Sequence, residues 1–288
     1  MKLSAATKLA GIMGWPVSQS LSPQLHGYWL EEMNIDGALV PLAVQPEDFS
    51  TAVSAFMKAG FVGVSVTLPH KQAAFAIAHS NDAASRIAGA ANLLVFDSTG
   101  KIEGRNTDSG GFVASVRESL GADACRRQTV VVLGAGGAAR AIALALDEIG
   151  ASEIRIVNRS RDRADQLASA LSTQISSKIL AFHLEDWPQA AQNAALVVQA
   201  TSAGMRQTAP LDIELKPLPN SAVICDIVYN PLETQFLKRA RAAGFKTIDG
   251  LGMLMHQGVP AFQSFFGAKP KVTPQLRRTL EQALSRGR

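Results

Sequence analysis

The sequence predicts an α/β fold in two domains, with mostly parallel sheets covered by helices. Short apolar segments alternate with helical segments along most of the chain, which is typical of such sheets. The stretch TVVVLGAGGAARAIALALDEIG (129–150) joins an apolar strand to a helix through a glycine turn, as Rossmann-type domains do. The segment after residue 250 reads as helix without strands, so we expect it to return to the first domain.

The first domain begins with a predicted strand at 9–14. Ser22-Pro23 resembles a helix N-cap followed by proline at the first helical position, which predicts a helix to about Met33. The pattern continues with a strand at 37–43, a helix at 46–60 stopped by Gly60, a strand at 62–67, a helix from about Pro69 and a strand at 92–96. We therefore expect the first domain to span 1–105 and to include 246–288.

The second domain is predicted to span 106–245. The polar, glycine-rich stretch IEGRNTDSGGF (102–112) interrupts the alternation and precedes a helix at about 109–120. Further buried strands are predicted at 153–158, 179–183, 196–200 and 222–228. A ligand cleft between the two domains is expected from this organisation.

Composition excludes several classes of protein. Hydrophobic residues make up 47% and charged residues 18% of the 288 residues, enough apolar surface for substantial cores. The net charge of +4 is spread without a dense basic run, which argues against a nucleic-acid partner. No apolar run approaches a membrane span, and Cys125 and Cys225 lie 100 positions apart. We expect a cytoplasmic protein with reduced thiols.

The string GAGGAA (134–139) fits a dinucleotide fingerprint in the required strand–turn–helix context. Gly134 permits the tight turn, Gly136 lets the backbone approach a pyrophosphate, and Ala139 allows close helix–strand packing. Free N–H groups and the positive end of the helix dipole then suit the phosphates. The predicted contacts are Gly134, Ala135, Gly136, Gly137 and Ala138.

The end of the next strand favours NADP over NAD. NAD-binding domains usually have Asp or Glu there for the ribose 2′-hydroxyl, but this strand ends in Asn158, Arg159 and Ser160, with Arg163 one turn later. Arginines can hold a 2′-phosphate with charge-assisted hydrogen bonds. Alternatively this is a surface helix start with Ser160 as its N-cap, and the two interpretations are compatible.

Several polar strings resemble those of the shikimate dehydrogenase family in order and spacing. They are SxSLSPxxH, VTxPxK, GAxN, GxNTD, GAGGAxRA, NRSxxR, ATSxGM and GLGMLxxQ, and they cover roughly residues 9–267. The resemblance implies reversible, NADPH-dependent reduction of 3-dehydroshikimate to shikimate, in the biosynthesis of chorismate and aromatic amino acids. Taken singly, each string has a structural explanation such as a cap or a turn.

The resemblance also implies roles for single residues. Lys71 is the catalytic acid and base, with Asp108 beside it. Ser20 and Ser22 bind the substrate carboxylate, and Tyr229 lies near it. The implied partners of the substrate hydroxyls are Thr67, Asn92, Asp108 and Gln257, and the residues near the nicotinamide are Thr201, Met205, Gly250 and Met253. The chain is expected to act as a monomer or a homodimer on a small-molecule substrate.

Two alternatives stay open on the sequence. One is a paralogue acting on quinate or another cyclohexane hydroxy acid, with NAD as an alternative cofactor, and the other is an NADP-sensing protein that has lost catalysis. Ser65 stands where many family members have Asn, which bears on substrate specificity more than on reaction type. The presence of both Lys71 and Asp108 favours an active enzyme.

Overall fold

A computed structural model describes residues 3–206 and 208–286 of the chain. The chain divides into two compact units. The first contains the residues up to Thr107 together with those from Met255 onward, and the second spans Asp108–Leu254.

The elements follow one another in a regular α/β order. Before residue 108 they are β1 (Lys8–Gly14), α1 (Ser22–Glu32), β2 (Gly37–Ala43), α2 (Phe49–Lys58), β3 (Gly63–Val66), α3 (Lys71–Ile77), β4 (Ser80–Asn81), α4 (Ala83–Ala88), β5 (Leu93–Phe96) and β6 (Ile102–Arg105). From residue 108 they are α5 (Asp108–Leu120), β7 (Thr129–Leu133), α6 (Gly137–Glu148), β8 (Glu153–Asn158), α7 (Arg161–Ser172), β9 (Lys178–His183), α8 (Trp187–Ala190), β10 (Ala194–Gln199), β11 (Val223–Asp226), α9 (Gln235–Ala242), β12 (Lys246–Ile248), α10 (Leu251–Phe266) and α11 (Pro274–Arg286).

The sheet of the first unit has the strand order β2-β1-β3-β5-β6-β4. β1 pairs in parallel with β2 and β3, and β4 with β6, but β5 is antiparallel to both β3 and β6. The hairpin from β5 to β6 turns at Asp97, whose Oδ1 accepts hydrogen bonds from the N–H groups of Thr99 and Lys101. The sequence pattern predicts a mostly parallel sheet, which is confirmed, but it misses β4, β6 and this hairpin.

The sheet of the second unit is parallel throughout, with the order β12-β11-β10-β7-β8-β9. If β7 is counted as the first strand, this is the doubly wound Rossmann order. The order in which successive strands are added changes sides between β7 and β10, although all the strands stay parallel. Ligands of such sheets bind outside the carboxyl ends of the strands at that switch point. The predicted Rossmann domain is therefore confirmed.

Some element boundaries differ from the predicted ones. Ser22 is the first residue of α1 and not its N-cap, which is Leu21. The predicted helix at 46–60 begins as a 3-10 turn, Pro46–Asp48, and Gly60 follows its end with φ +85°. The Leu68–Pro69 peptide bond is cis, and α3 begins only at Lys71.

The return of the chain to the first unit also lies later than expected. β12 pairs in parallel with β11, so 246–248 belong to the second sheet, whereas the expected division places them in the first domain. The units divide instead within α10, after Leu254. In the first unit, the indole N–H of Trp29 in α1 donates to the carbonyl of Lys271 at 2.9 Å, which holds the returning tail.

Each unit has its own apolar core. In the first, Phe49 and Val53 of α2 pack with Val64 of β3 and Leu94 of β5. In the second, the central strands pack against α9 and α8 through a set that includes Val131, Val197, Ile224, Phe236, Leu237 and Trp187. Among the described residues, no helix is both long enough and apolar enough to cross a bilayer.

Candidate active site

The mixed sheet of the first unit brings four polar segments to one edge. β1 and β3 are parallel, so their carboxyl ends meet there. β5 runs the opposite way, so its start lies at the same edge, and β6 reverses again to end there. Val66 donates its N–H to the carbonyl of Asn92 at 2.8 Å, and Asn92 donates its own to that of Arg105 at 3.0 Å. The topology therefore gathers all four predicted segments.

The two predicted carboxylate-binding serines lie where the segment after β1 enters α1. Ser20 Oγ accepts the N–H of Ser22 at 3.2 Å, and no side chain caps α1. Ser20 thus accepts a hydrogen bond from an N–H at the start of the helix, a role that the sequence pattern assigned to Ser22. Both serines are partly exposed at the start of α1. The hydroxyl of Ser22 is not used as a cap, and the helix start offers a place for an anionic group.

Thr67 follows β3 and packs closely on the end of β1. Its N–H donates to the carbonyl of Met13 at 2.9 Å. A Cβ on Gly14 would lie 2.5 Å from Thr67 Cγ2, so only glycine at position 14 allows the two segments to lie this close. This packing fixes Thr67 at the sheet edge.

Lys71 is the first residue of α3 and is partly buried. The residue before it, His70, is buried, with Nε2 donating to the carbonyl of Val44 at 2.8 Å and its ring stacked on Phe49. The carbonyl of Lys71 accepts the N–H of Ala91 at 2.9 Å. The backbone of Lys71 is therefore held on both sides.

Asn92 and Gln257, two predicted substrate residues separated by 165 positions, are in direct contact. Asn92 Nδ2 donates to Gln257 Oε1 at 3.4 Å and to Thr107 Oγ1 at 3.0 Å, while its Oδ1 accepts the N–H of Thr107 at 2.9 Å. The amide of Asn92 is thus fixed in one orientation, and Gln257 is left to present its Nε2 as a donor.

The GRNTD segment is tied down at successive residues. Asp82 accepts the N–H of Asn106 at 3.3 Å, Asn106 Nδ2 donates to the carbonyl of Ala90 at 3.0 Å, and Thr107 bonds Asn92. Asp108 then opens α5 with only 2% of its surface exposed. The sequence pattern does not predict that Asp82 and Thr107 hold this segment, although Thr107 itself belongs to the NTD string.

Packing between α1 and α10 sets the position of Gln257 along its helix. A Cβ on the neighbouring Gly258 would lie 2.6 Å from Leu25 Cδ2, so glycine permits the close approach. His26 of α1 is buried among Trp29 and Phe262, and burial lowers the pKa of His26 to about 3. His26 is therefore a neutral packing residue.

The glycine turn after β7 has the geometry that a pyrophosphate requires. Gly134 has φ +116°, and a Cβ there would lie 3.0 Å from Thr201 Cγ2. Gly136 is the N-cap of α6 without a side-chain cap, and a Cβ on it would meet no atom within 4 Å. Ala135, Gly137 and Ala138 complete the turn and the first turn of α6. An open approach to free N–H groups fits a dinucleotide phosphate.

The segments after β10 and β12 lie at the same edge as this turn, because all strands of the sheet are parallel. Thr201 follows β10, and Met205 lies four residues later in a turn. A Cβ on Gly250 would collide with the carbonyl oxygen of Ile227, so glycine is needed where 250 crosses the end of β11. Met253, in the first turn of α10, is 8% exposed.

The basic residues after β8 differ in their partners. Arg161 is paired with Asp165 at 3.1 Å and Asp186 at 3.6 Å. Arg159 and Arg163 are exposed, and within 3–206 and 208–286 neither side chain has an ion-pair partner. Ser160 caps α7 by accepting the N–H of Arg163 at 3.4 Å, which confirms the predicted cap. Asn158 Nδ2 donates to the carbonyl of Ser160 at 3.0 Å, which shapes the turn.

Tyr229 follows β11 in the sequence DIVYNP and is partly buried. The segment starts at Asp226, which is fully buried and accepts hydrogen bonds from the N–H of Val228 at 2.9 Å and the hydroxyl of Thr234 at 2.7 Å. Burial outweighs these bonds and raises the pKa of Asp226 to about 7. The sequence pattern does not single out this carboxyl group.

The raised pKa of Asp226 makes stability depend on pH. The pKa is about 7 against a reference of 3.8, so the contribution of the protonated group is fully present below about pH 4 and is lost as pH rises to about 7. Asn cannot ionise. From pH 4 to 7 we expect Asp226→Asn to gain stability relative to the natural protein by about 1.4 kcal/mol per pH unit. Denaturant unfolding across that range measures it, and a pH-independent difference would contradict the assignment.

Comparison with known proteins agrees with this geometry. The family described as the shikimate dehydrogenase substrate binding domain matches residues 12–94, and that described as shikimate / quinate 5-dehydrogenase matches residues 117–231. The shikimate dehydrogenase (NADP(+)) of Paramagnetospirillum magneticum is 45% identical over 278 residues, covering 96% of this chain and 98% of its own.

Solved structures with the same fold carry the ligands expected at such a site. A shikimate dehydrogenase in complex with NADP+ has a TM-score of 0.87 at 30% identity, covering 99% of this chain and 97% of its own. Shikimate 5-dehydrogenase from Thermus thermophilus, in complex with NADP(H) and shikimate, has a TM-score of 0.83 at 32% identity, covering 97% and 99%. Both domain families and the whole-length relatives agree, and the chain belongs to the shikimate dehydrogenase family.

Proposed function

We propose that this chain catalyses the reversible, NADP-dependent interconversion of 3-dehydroshikimate and shikimate. The observation that carries the proposal is the contact between Asn92 and Gln257, which joins two hydrogen-bonding side chains 165 positions apart in the sequence at one sheet edge. Family membership supports the same reaction, and NADP-dependent relatives support the cofactor.

The first unit supplies most of the substrate contacts. The hydroxyls of Ser20 and Ser22 orient the carboxylate at the start of α1, where the helix dipole favours negative charge. We assign Tyr229 to substrate binding on the family resemblance alone. Thr67, with Asn92 and Gln257, binds the ring hydroxyls through fixed donors and acceptors, so a substrate lacking one hydroxyl leaves a polar group without its partner.

The second unit holds the cofactor through the glycine turn and the basic turn after β8. The space beside Gly136 is open and the first turn of α6 suits the pyrophosphate. Arg159 and Arg163 are exposed, have no ion-pair partner within 3–206 and 208–286, and suit a 2′-phosphate. Thr201, Met205, Gly250 and Met253 shape the nicotinamide end. NADPH, when bound, supplies the hydride that reduces the ketone at C3.

Lys71 performs the proton transfer. A ketone that accepts a hydride becomes an alkoxide and needs a proton, and the Lys71 ammonium group stabilises that developing charge and donates the proton. In the reverse direction neutral Lys71 removes the proton from the C3 hydroxyl. Asp108 orients the ammonium group and accepts a hydrogen bond from a substrate hydroxyl.

The thiols suit a reducing compartment, and we assign the protein to the cytoplasm. Cys125 and Cys225 are both buried and free, and burial raises the pKa of Cys125 to about 11. Protonated, buried thiols are inert structural residues. The chain acts as a monomer or a homodimer, which analytical ultracentrifugation distinguishes.

The purified chain tests the proposal through four reactions, namely oxidation of shikimate or quinate with NADP or NAD. We expect kcat/KM to be highest for shikimate with NADP, because the arginines favour the 2′-phosphate. Higher kcat/KM for quinate with NAD would favour a quinate paralogue, for which Ser65 is the first residue to examine. Binding of NADP without turnover of either acid would favour a sensing protein.

A further inference from the structure

Two buried polar residues stand side by side at the carboxyl ends of β10 and β11. Gln199 and Asp226 are paired in register on these neighbouring parallel strands, and both are fully buried. Apolar residues fill the other paired positions, Leu196 with Val223, Val197 with Ile224 and Val198 with Cys225. Burying polar groups is costly unless they are hydrogen-bonded, so this pair needs a physical reason.

Within the described residues, the side chain of Gln199 bonds the segment that follows its own strand. Its Oε1 accepts the N–H of Thr201 at 2.7 Å, and its Nε2 donates to the carbonyls of Ala203 at 2.8 Å and Thr201 at 3.3 Å. One amide thus satisfies three backbone groups in a stretch without regular secondary structure, and it fixes the turn that leads to Met205.

Asp226 acts in the same way on the segment after β11. Its Oδ1 accepts the N–H of Val228 and its Oδ2 the hydroxyl of Thr234, which in turn caps α9 by accepting the N–H of Leu237 at 3.2 Å. The carboxyl group therefore joins both ends of the segment 228–234, which contains Tyr229.

The two segments also contact each other. The N–H of Ile227 donates to the carbonyl of Gln199 at 3.1 Å, and a Cβ on Gly204 would lie 3.6 Å from Thr234 Cβ. The pair Gln199 and Asp226 is thus the shared anchor of one segment at the nicotinamide end and another that carries a substrate-side tyrosine.

We propose that Gln199 and Asp226 are positioning residues, Gln199 for the nicotinamide-end segment 201–205 and Asp226 for the Tyr229 segment 228–234. The assignment of Gln199 to the nicotinamide end and of Asp226 to the substrate side rests on the proposed function. The hydrogen bonds by which the two residues anchor their segments do not depend on it. Both side chains are fully buried and hydrogen-bonded to the chain itself, which is why we assign them a positioning role.

Amide hydrogen exchange of the whole protein tests the anchoring without any turnover. Gln199→Ala removes three hydrogen bonds, and we expect the amides of 201–205 to exchange at least about tenfold faster, with those of 228–234 changed less. Asp226→Ala should show the reverse pattern. Uniformly faster exchange, or no change in either segment, would overturn the proposal whether or not the protein oxidises shikimate.

Kinetics and binding separate positioning from general damage. For Gln199→Ala we expect about a tenfold rise in KM for NADP and a lower kcat, because the segment 201–205 loses the hydrogen bonds that hold it. A tenfold rise corresponds to about 1.4 kcal/mol of binding free energy. Binding of adenosine 2′,5′-bisphosphate, which lacks the nicotinamide end, should stay unchanged by calorimetry. For Asp226→Ala the rise should appear in KM for shikimate instead. Equal losses in both parameters for both variants would contradict the division of labour.

Conservative variants and a surface control complete the design. Asp226→Asn retains an acceptor for the N–H of Val228 and should recover most of the affinity for shikimate that Asp226→Ala loses. Gln174→Ala removes an exposed glutamine of the same unit, which lies in the turn after α7 and whose Nε2 donates to the carbonyl of Ala170 at 2.9 Å, and it should change neither exchange pattern nor kinetics. A failure of Asp226→Asn to recover affinity would count against a hydrogen-bonding role.

Discussion

Lys71→Ala is expected to lower kcat for shikimate oxidation about a thousandfold while the KM for shikimate changes severalfold at most. Lys71 is the first residue of α3, its carbonyl accepts the N–H of Ala91, the residue before Asn92, and its side chain is the group assigned to proton transfer. Removing it leaves the hydroxyl contacts in place but leaves no group to take the proton from the C3 hydroxyl as the hydride departs. Steady-state kinetics and calorimetric binding of shikimate measure the two effects separately.

Two further variants sharpen this test. Lys71→Arg keeps the positive charge but cannot lose a proton near neutral pH, so it should restore binding without restoring kcat. Lys58→Ala removes an exposed lysine at the end of α2 and should leave both parameters unchanged. Near-normal turnover by Lys71→Ala would show that Lys71 binds substrate and that another group moves the proton.

The sequence predicts the second unit more completely than the first, for a physical reason. Its strands are buried on both faces and read as continuous apolar runs such as TVVVL, and one glycine string fixes the place of the cofactor. In the first unit β6 is only IEGR, which looks like part of a polar loop. Its pairing with β5 depends on the Asp97 turn, and strand direction is not visible in hydrophobic periodicity.

The residues proposed to bind the ligand are easier to predict from the sequence than the residues proposed to position them. Ser20, Lys71 and Gln257 stand in strings that resemble a known family, whereas Gln199 and Asp226 at strand ends look like ordinary polar residues. Their importance comes from register across two strands and from burial, which require the folded chain. For Ser22 the sequence predicts a structural role that the fold does not give it. Ser22 looks like an N-cap in the sequence, but it is the first residue of the helix, and Ser20 accepts the N–H of Ser22.

Replacing both Arg159 and Arg163 with Ala is expected to raise KM for NADP about a hundredfold, because two charge-assisted contacts to the 2′-phosphate are lost. NAD lacks that phosphate, so its KM should change less than about threefold. The preference for NADP over NAD would then largely disappear. Since both side chains are exposed, the KM for NADP of the natural protein should also rise with ionic strength, and that dependence should weaken in the double variant.

Arg161 provides the matched control on the same turn, because its guanidinium group is already paired with Asp165 and Asp186. Arg161→Ala removes one positive charge from nearly the same place, against two in the double variant, so a long-range effect of net charge would appear in it too, at about half the change in binding free energy. We expect its KM for NADP to change only severalfold. If Arg161→Ala lost half or more of the binding free energy for NADP that the double variant loses, general electrostatic attraction would explain the cofactor preference. Equal loss of NADP and NAD in the double variant would instead mean that the two arginines shape the turn and do not read the phosphate.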